Sequence, residues 1–137
     1  MADQDRAPRV VVFGGRDLWL SVFALDHWLA VFGLSPGSFE LIEGEAPGAD
    51  VSARRWAEHH GMEPRKFFAA WGLYKKGAGH IRSGLMADAA DYGIGFITDG
   101  SRGTANMERQ LISRGKIAHM VRYEFVNDGW DGTEETL

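Results

Sequence analysis

Two features of the chain predict an α/β domain with a mostly parallel five-stranded sheet and helices on both faces. Short β-branched or apolar runs alternate with stretches of helical periodicity. The helical stretches are about ten to fifteen residues long, the length of right-handed crossovers between parallel strands. At 137 residues, 45% of them hydrophobic and 25% charged, the chain is one domain with enough apolar mass for a core.

The elements follow in order. Arg9–Phe13 (RVVVF) reads as a buried strand bounded by Gly14-Gly15. Leu18, Val22, Leu25, Leu29 and Phe32 recur at three- and four-residue spacing, a helix closed by Gly33. Phe39–Glu43 is the second strand, and Asp50 is placed to cap a helix running to His60 and ended by Gly61. Arg65–Phe68 is a shorter third strand. His80–Ala90 carries Ile81, Leu85, Met86 and Ala89 on one helical face. Tyr92–Ile97, a helix over Thr104–Arg114 and a strand over Ile117–Tyr123 complete the series. Residues 1–8 are expected to be a disordered N-terminus, 9–123 the domain, and 124–137 a loose acidic tail.

Composition narrows the function. A net charge of −4 leaves no electrostatic footprint for duplex nucleic acid. A single-stranded partner has only the local cluster Lys75, Lys76 and Arg82 to recommend it, so nucleic acid is unlikely as a partner. With no cysteine, disulfides, Cys-based zinc sites and thiol nucleophiles are excluded. The adjacent His59 and His60 point about 100° apart on a helix, unlike a chelating i, i+4 pair, so no metal site is expected. No cofactor is expected either. The polar start lacks a signal-peptide core and no apolar run is long enough for a membrane span, so the expected location is the cytoplasm, without a membrane partner.

Ligands of parallel α/β sheets bind beyond the carboxyl ends of the strands, so the loops there carry the chemistry. The first is Gly14-Gly15-Arg16-Asp17, where glycines admit a ligand to the backbone and Arg16 offers a planar guanidinium to phosphate. A tight turn, with Arg16 exposed or paired to Asp17, would by itself explain this loop. The second, Gly44 to Asp50, carries Gly48, suited to positive φ or close contact, and Asp50, either helix cap or ligand group. The third, WGLYKKGAGHIRSGLM from Trp71, is a long loop in which Trp71 is either a stacking wall or a core anchor. Arg82, read as opening a helix, sits against a positive dipole end that a bound anion would relieve. The fourth, Gly100-Ser101-Arg102-Gly103-Thr104, presents amides and hydroxyls at a helix start. It is not a Walker A loop, having no Gly-Lys-Ser/Thr. Several glycine turns on one sheet edge favour anion binding over turn-making.

Gly14-Gly15-Arg16-Asp17, Pro47-Gly48-Ala49-Asp50, His80-Ile81-Arg82 with Met86, and Gly100 to Met107 stand in the order and spacing of the SLOG superfamily. Within it the chain resembles the YspA-like branch, whose members are small and often phage- or prophage-borne. The superfamily also holds the LOG phosphoribohydrolases and the DprA/Smf proteins. The resemblance spans residues 9–123 and implies a Rossmann-like, nucleotide-binding domain with phosphate on the Gly100–Thr104 turn. LOG-like members hydrolyse the N-glycosidic bond of nucleoside monophosphates with a Glu in a PGGxGTxxE stretch and an Arg on the preceding helix. Here the Arg is Arg82, but Met107 stands at the Glu position, with Glu108 one residue on and about 100° round the helix. Ser83 replaces the branch's usual Asn.

Two functions follow as expectations. One is a module that senses or sequesters a nucleotide or nucleotide-derived small molecule through Gly14, Gly15, Arg16, Gly48, Asp50, Trp71, Arg82, Gly100, Ser101, Arg102, Gly103 and Thr104. The other is an N-glycosidase in which Arg82 acts with a carboxylate from Glu108, Asp17 or Glu45. LOG-like relatives pair as homodimers, and the extra apolar residues Trp19, Leu20, Phe23 and Trp28 of the first helix lead to the same expectation here.

Overall fold

The structure, a computed structural model, describes residues 6–98, 102–126 and 129–135. It is a Rossmann-like α/β domain. The five expected parallel strands are β1 (Arg9–Gly14), β2 (Glu40–Glu43), β3 (Arg65–Lys66), β4 (Tyr92–Ile97) and β5 (Ala118–Val126). A sixth strand, β6 (Gly129–Glu135), runs antiparallel to β5, giving the order β3-β2-β1-β4-β5-β6. The acidic stretch expected to be a loose tail is therefore mostly strand. Its sequence lacks the apolar alternation that marks a strand. The open edge of β5, with a row of unpaired backbone groups, supplies the pairing instead. Of the N-terminus expected to be disordered, residues 6–8 are tied down. Arg6 donates to both carboxylate oxygens of Asp91 at 2.8 Å, and the Pro8 carbonyl accepts from the Glu40 amide at 2.9 Å.

Strand alternation divides the core in two. Val10, Val12, Ile94, Phe96 and Val121 pack under α1 (Val22–Val31) and α2 (Ala49–His59), against Leu25, Leu29 and Trp56. Val11, Phe13, Ile42 and Met120 face α4 (Ala78–Ala89) and α5 (Arg102–Ser113), against Met86, Met107 and Leu111. On this second face β4 offers Gly93 and Gly95 in its middle and a partly buried Ile97 at its end. A Cβ on Gly95 would stand 2.7 Å from both the Phe13 ring and Met120, so the missing side chains make the space in which Phe13 lies across the sheet.

Three boundaries differ from the sequence reading. The first helix begins at Val22, because Ser21 caps it by accepting the Ala24 amide at 3.1 Å. Leu18 is buried from the preceding loop, where its burial is worth about 1.5–3 kcal/mol without any helix. The residue capping α2 is Gly48, so Asp50 lies inside the first turn. The long third loop is largely helical: a single turn, α3 (Trp71–Tyr74), and a 3₁₀ turn over Lys75–Gly77 lead directly into α4. Arg82 consequently sits a full turn inside its helix.

Candidate functional site

The strand order reverses between β1 and β4, and a cavity of about 600 Å³ opens at the carboxyl edge there. Every loop singled out from the sequence reaches it. The first contributes Gly14, Arg16 and Asp17; the second, Ala46 and Asp50. From α4 come Gly79, His80, Arg82, Ser83 and Met86, and from the start of α5 Arg102, Gly103, Thr104, Asn106 and Met107. Of the expected site residues, Gly14, Arg16, Asp50, Arg82, Arg102, Gly103 and Thr104 are thus brought together. Gly15, Gly48 and Glu108 are not among the lining residues. Gly100 and Ser101 lie outside the described residues, and of Trp71 only the backbone, which starts α3, is described.

The glycines outside the cavity build its walls. The Gly15 amide donates to the Phe96 carbonyl at 3.1 Å, and the Gly15 carbonyl accepts from Leu18 and Ala49, both at 3.2 Å. Gly48 has φ +83°, and a Cβ there would collide with the carbonyl groups of Gly15 and Arg16. Its absent side chain lets the first two loops press backbone to backbone. Gly48→Ala should therefore destabilise the fold by at least about 2 kcal/mol, read as a lower denaturant midpoint. An unchanged midpoint would mean that the two loops are not locked together.

Charge is concentrated where the loop after β2 meets α2 and α4. Asp50 is only 4% exposed, and its Oδ2 accepts from the amides of Gly44 at 3.2 Å and Ala46 at 3.5 Å. It therefore serves the loop before its helix rather than capping its own. Burial pushes its carboxyl up to about 6, against the pull of Arg82 and of the Ala46, Gly44 and Gly14 amides. Arg82 donates from Nη1 to the Gly44 carbonyl at 2.9 Å, while its Nε is buried without an acceptor. Burial and the like charge of Arg16 both work to lower its pKa, and Asp50 works to raise it. Two guanidiniums thus feel each other across the cavity.

Behind them Glu43 is fully buried at the end of β2, and its Oε2 accepts the Glu45 amide at 2.6 Å. Burial, and hydrogen bonding to the Glu45 side chain, push its carboxyl up to about 8. Burial also works against charge on Glu45, but the Glu43 hydrogen bond and Arg54, at 2.6 Å, prevail and hold that carboxyl below its usual range. The proton of the pair therefore sits on Glu43. Glu45 adopts φ +59°, a strained conformation for a residue with a side chain, and the Glu43 and Arg54 bonds hold it there.

Toward α5, His80 Nδ1 lies 3.1 Å from Asn106 Oδ1 and 3.3 Å from Gln110 Nε2, bridging α4 to α5 beside the cavity. Met107 is buried and, with Phe13 and Met86, gives the cavity an apolar floor. Thr98, Asn106 and His80 escaped the sequence reading as site residues. Thr98 carried a usable signal, being a polar residue directly after the last position of β4. Asn106 and His80 stood within motifs quoted above without being singled out, because their side chains' placement depends on how α4 and α5 pack. Among the described residues no group of three or more His, Cys, Asp or Glu is placed to hold a metal ion, and no helix is long and apolar enough to cross a membrane.

A cationic wall over an apolar floor can hold an anionic group whose attached body is apolar or planar. No protein-family model matches the chain, and no curated protein or solved structure matches it.

Proposed function

We propose that this protein binds a nucleotide or nucleotide-derived small molecule, with a phosphate between Arg16, Arg82 and the start of α5. The observation that carries the reading is the convergence of Arg16, Arg82 and Arg102, from three separate loops and helices, on one cavity at the strand-order switch. Like charges gathered in this way are stabilised by an anion among them. The floor of Phe13, Met86 and Met107 suits the flat face of a base. The SLOG resemblance of the same residues points the same way.

Calorimetry against a panel of nucleoside monophosphates tests the reading, with Gly103→Val as control. A Cβ at Gly103 would meet nothing within 4 Å, and the residue lines the cavity, so valine occupies ligand space without a clash in the protein. Gly103→Val should keep the thermal midpoint and lose about tenfold or more in affinity. Arg102→Ala should weaken binding in the same assay. Unchanged affinity in both variants would defeat the phosphate placement.

A second reading is N-glycosidase action on the bound nucleotide. Among the described residues Asp17 and Asp50 line the cavity, whereas Glu108 and Glu45 do not, which favours the first pair as the source of a reacting carboxylate. Free base released from a nucleoside monophosphate, followed by chromatography, would establish this reading over binding alone.

We also propose a homodimer. Leu20 and Trp28 of the expected apolar surface pack against the core, but Trp19 is 53% and Phe23 85% exposed. A second copy would cover them. Light scattering at micromolar concentration should give twice the mass of one chain, and the mass of a single chain would overturn the dimer.

A further inference from the structure

We propose that Asp50 makes this cavity selective for an anion that carries a proton, a phosphate monoester or free phosphate, over sulfate and phosphodiesters. The inference rests on the phosphate reading above and gives it a specificity.

The geometry begins with Gly44. A Cβ there would lie 2.9 Å from Asp50 Oδ2 and 3.1 Å from Arg82 Nε, so carboxylate and guanidinium stand within about 6 Å of each other on the same cavity wall. The Gly44 and Ala46 amides fix the carboxylate, so it cannot swing away from an incoming anion. Any oxyanion drawn to Arg82 and Arg16 is thereby brought beside an ionised carboxyl group, which can only accept hydrogen bonds. Two oxyanions in contact repel unless one proton lies between them. A phosphate monoester can bring that proton, because its second ionisation lies near pH 6. Sulfate and a phosphodiester bring none at neutral pH, so toward them Asp50 is a like charge with no proton to accept.

The surroundings of Asp50 agree with this role. Among the described residues, the charged and titratable groups around it are Arg82 and His80 from α4, Glu43 from β2, Arg16 and Asp17 from the first loop, and Arg102 from α5. Glu43 retains its proton through neutrality, so it adds no negative charge of its own beside Asp50. With its own carboxyl raised to about 6, Asp50 is ionised at pH 7.5 and accepts the P–OH proton. Below about pH 6 it becomes protonated and can itself donate to any oxyanion. Selectivity should therefore fade in acid.

The test titrates the full chain with inorganic phosphate and, separately, with sulfate, at pH 7.5 and pH 5.5. Wild-type protein should prefer phosphate by about ten- to a hundredfold at the higher pH. The preference should shrink at the lower pH. Asp50→Asn, whose amide oxygen still accepts from Gly44 and Ala46 and whose NH₂ can donate, should bind the two anions alike at pH 7.5. Circular dichroism checks that it folds, and the wild-type pH series stands independently if it does not. Equal wild-type affinity for phosphate and sulfate at pH 7.5 overturns the selectivity. If a nucleoside monophosphate then still binds in an Arg82-dependent way, only this inference has failed. If neither anion nor any monophosphate binds, the phosphate reading has failed with it.

Discussion

Arg82→Ala should weaken nucleoside monophosphate binding about ten- to a hundredfold, the worth of a charged hydrogen bond of roughly 1.5–3 kcal/mol. The guanidinium is anchored to the Gly44 carbonyl by Nη1, which fixes its place in the cavity wall and leaves other donors for a ligand. Its Nε is buried without an acceptor. Arg82→Lys should recover part of the charge attraction but not the planar two-pronged geometry. A second readout belongs to the protein alone. Without Arg82, the counter-charge that favours ionised Asp50 is gone, so the Asp50 carboxyl should titrate above its present value of about 6. Carbon-detected NMR titration of Asp50 in both proteins would show it. If the protein is an enzyme, Arg82→Ala should lower turnover more than affinity, because the interaction would then be made chiefly in the transition state. If neither constant moved, Arg82 would be a structural tie between α4 and the loop after β2.

Glu43→Gln should abolish most of a loss of stability that the wild-type protein suffers as pH rises from about 4.5 to about 8. The sign follows from proton binding. In the folded chain Glu43 keeps its proton up to about pH 8, whereas unfolded it releases it near its ordinary value of 4.5. Between these limits the native state holds the extra proton, so stability is greatest on the acid side and falls by up to about 1.4 kcal/mol per pH unit. Asp50 adds a fall of the same sign over a narrower window, from 3.8 to about 6. Glutamine keeps an acceptor for the Glu45 amide and carries no charge to bury. The variant should therefore be the more stable protein at pH 8 and differ little from wild type at pH 4.5. Its remaining slope should be confined to the Asp50 window. Urea midpoints measured from pH 4.5 to 8 check this, and a wild-type midpoint flat across that range would show that Glu43 is not carrying the proton.

What the sequence determined by itself was the order of elements and the edge on which chemistry gathers. Alternating β-branched runs and helical spacing are local signals, and they sufficed for five parallel strands with helices on both faces. Glycine turns after those strands marked the loops that line the cavity, because the carboxyl edge of a parallel sheet collects every such loop. Arg16, Asp50, Arg102, Gly103 and Thr104 were legible on that ground, whereas Arg82 was singled out as opening a helix and proved to lie a full turn inside it.

The tertiary structure decided the rest, wherever the outcome depended on groups distant in sequence. Gly48 suited a positive φ or a close contact; it has the positive φ, and what it approaches is the carbonyls of Gly15 and Arg16 rather than the cavity. Residues 129–135 looked like a tail until the edge of β5 offered them partners. Asp50 read as either a helix cap or a ligand group; it caps no helix, but bonds the amides of Gly44 and Ala46 and faces Arg82, which is 32 residues further along the chain. The proton on Glu43 was invisible altogether, since nothing in FELIE shows that its last residue ends fully buried beside Glu45. Periodicity is written in neighbouring residues. The state of a buried charge is set by whatever the fold brings against it.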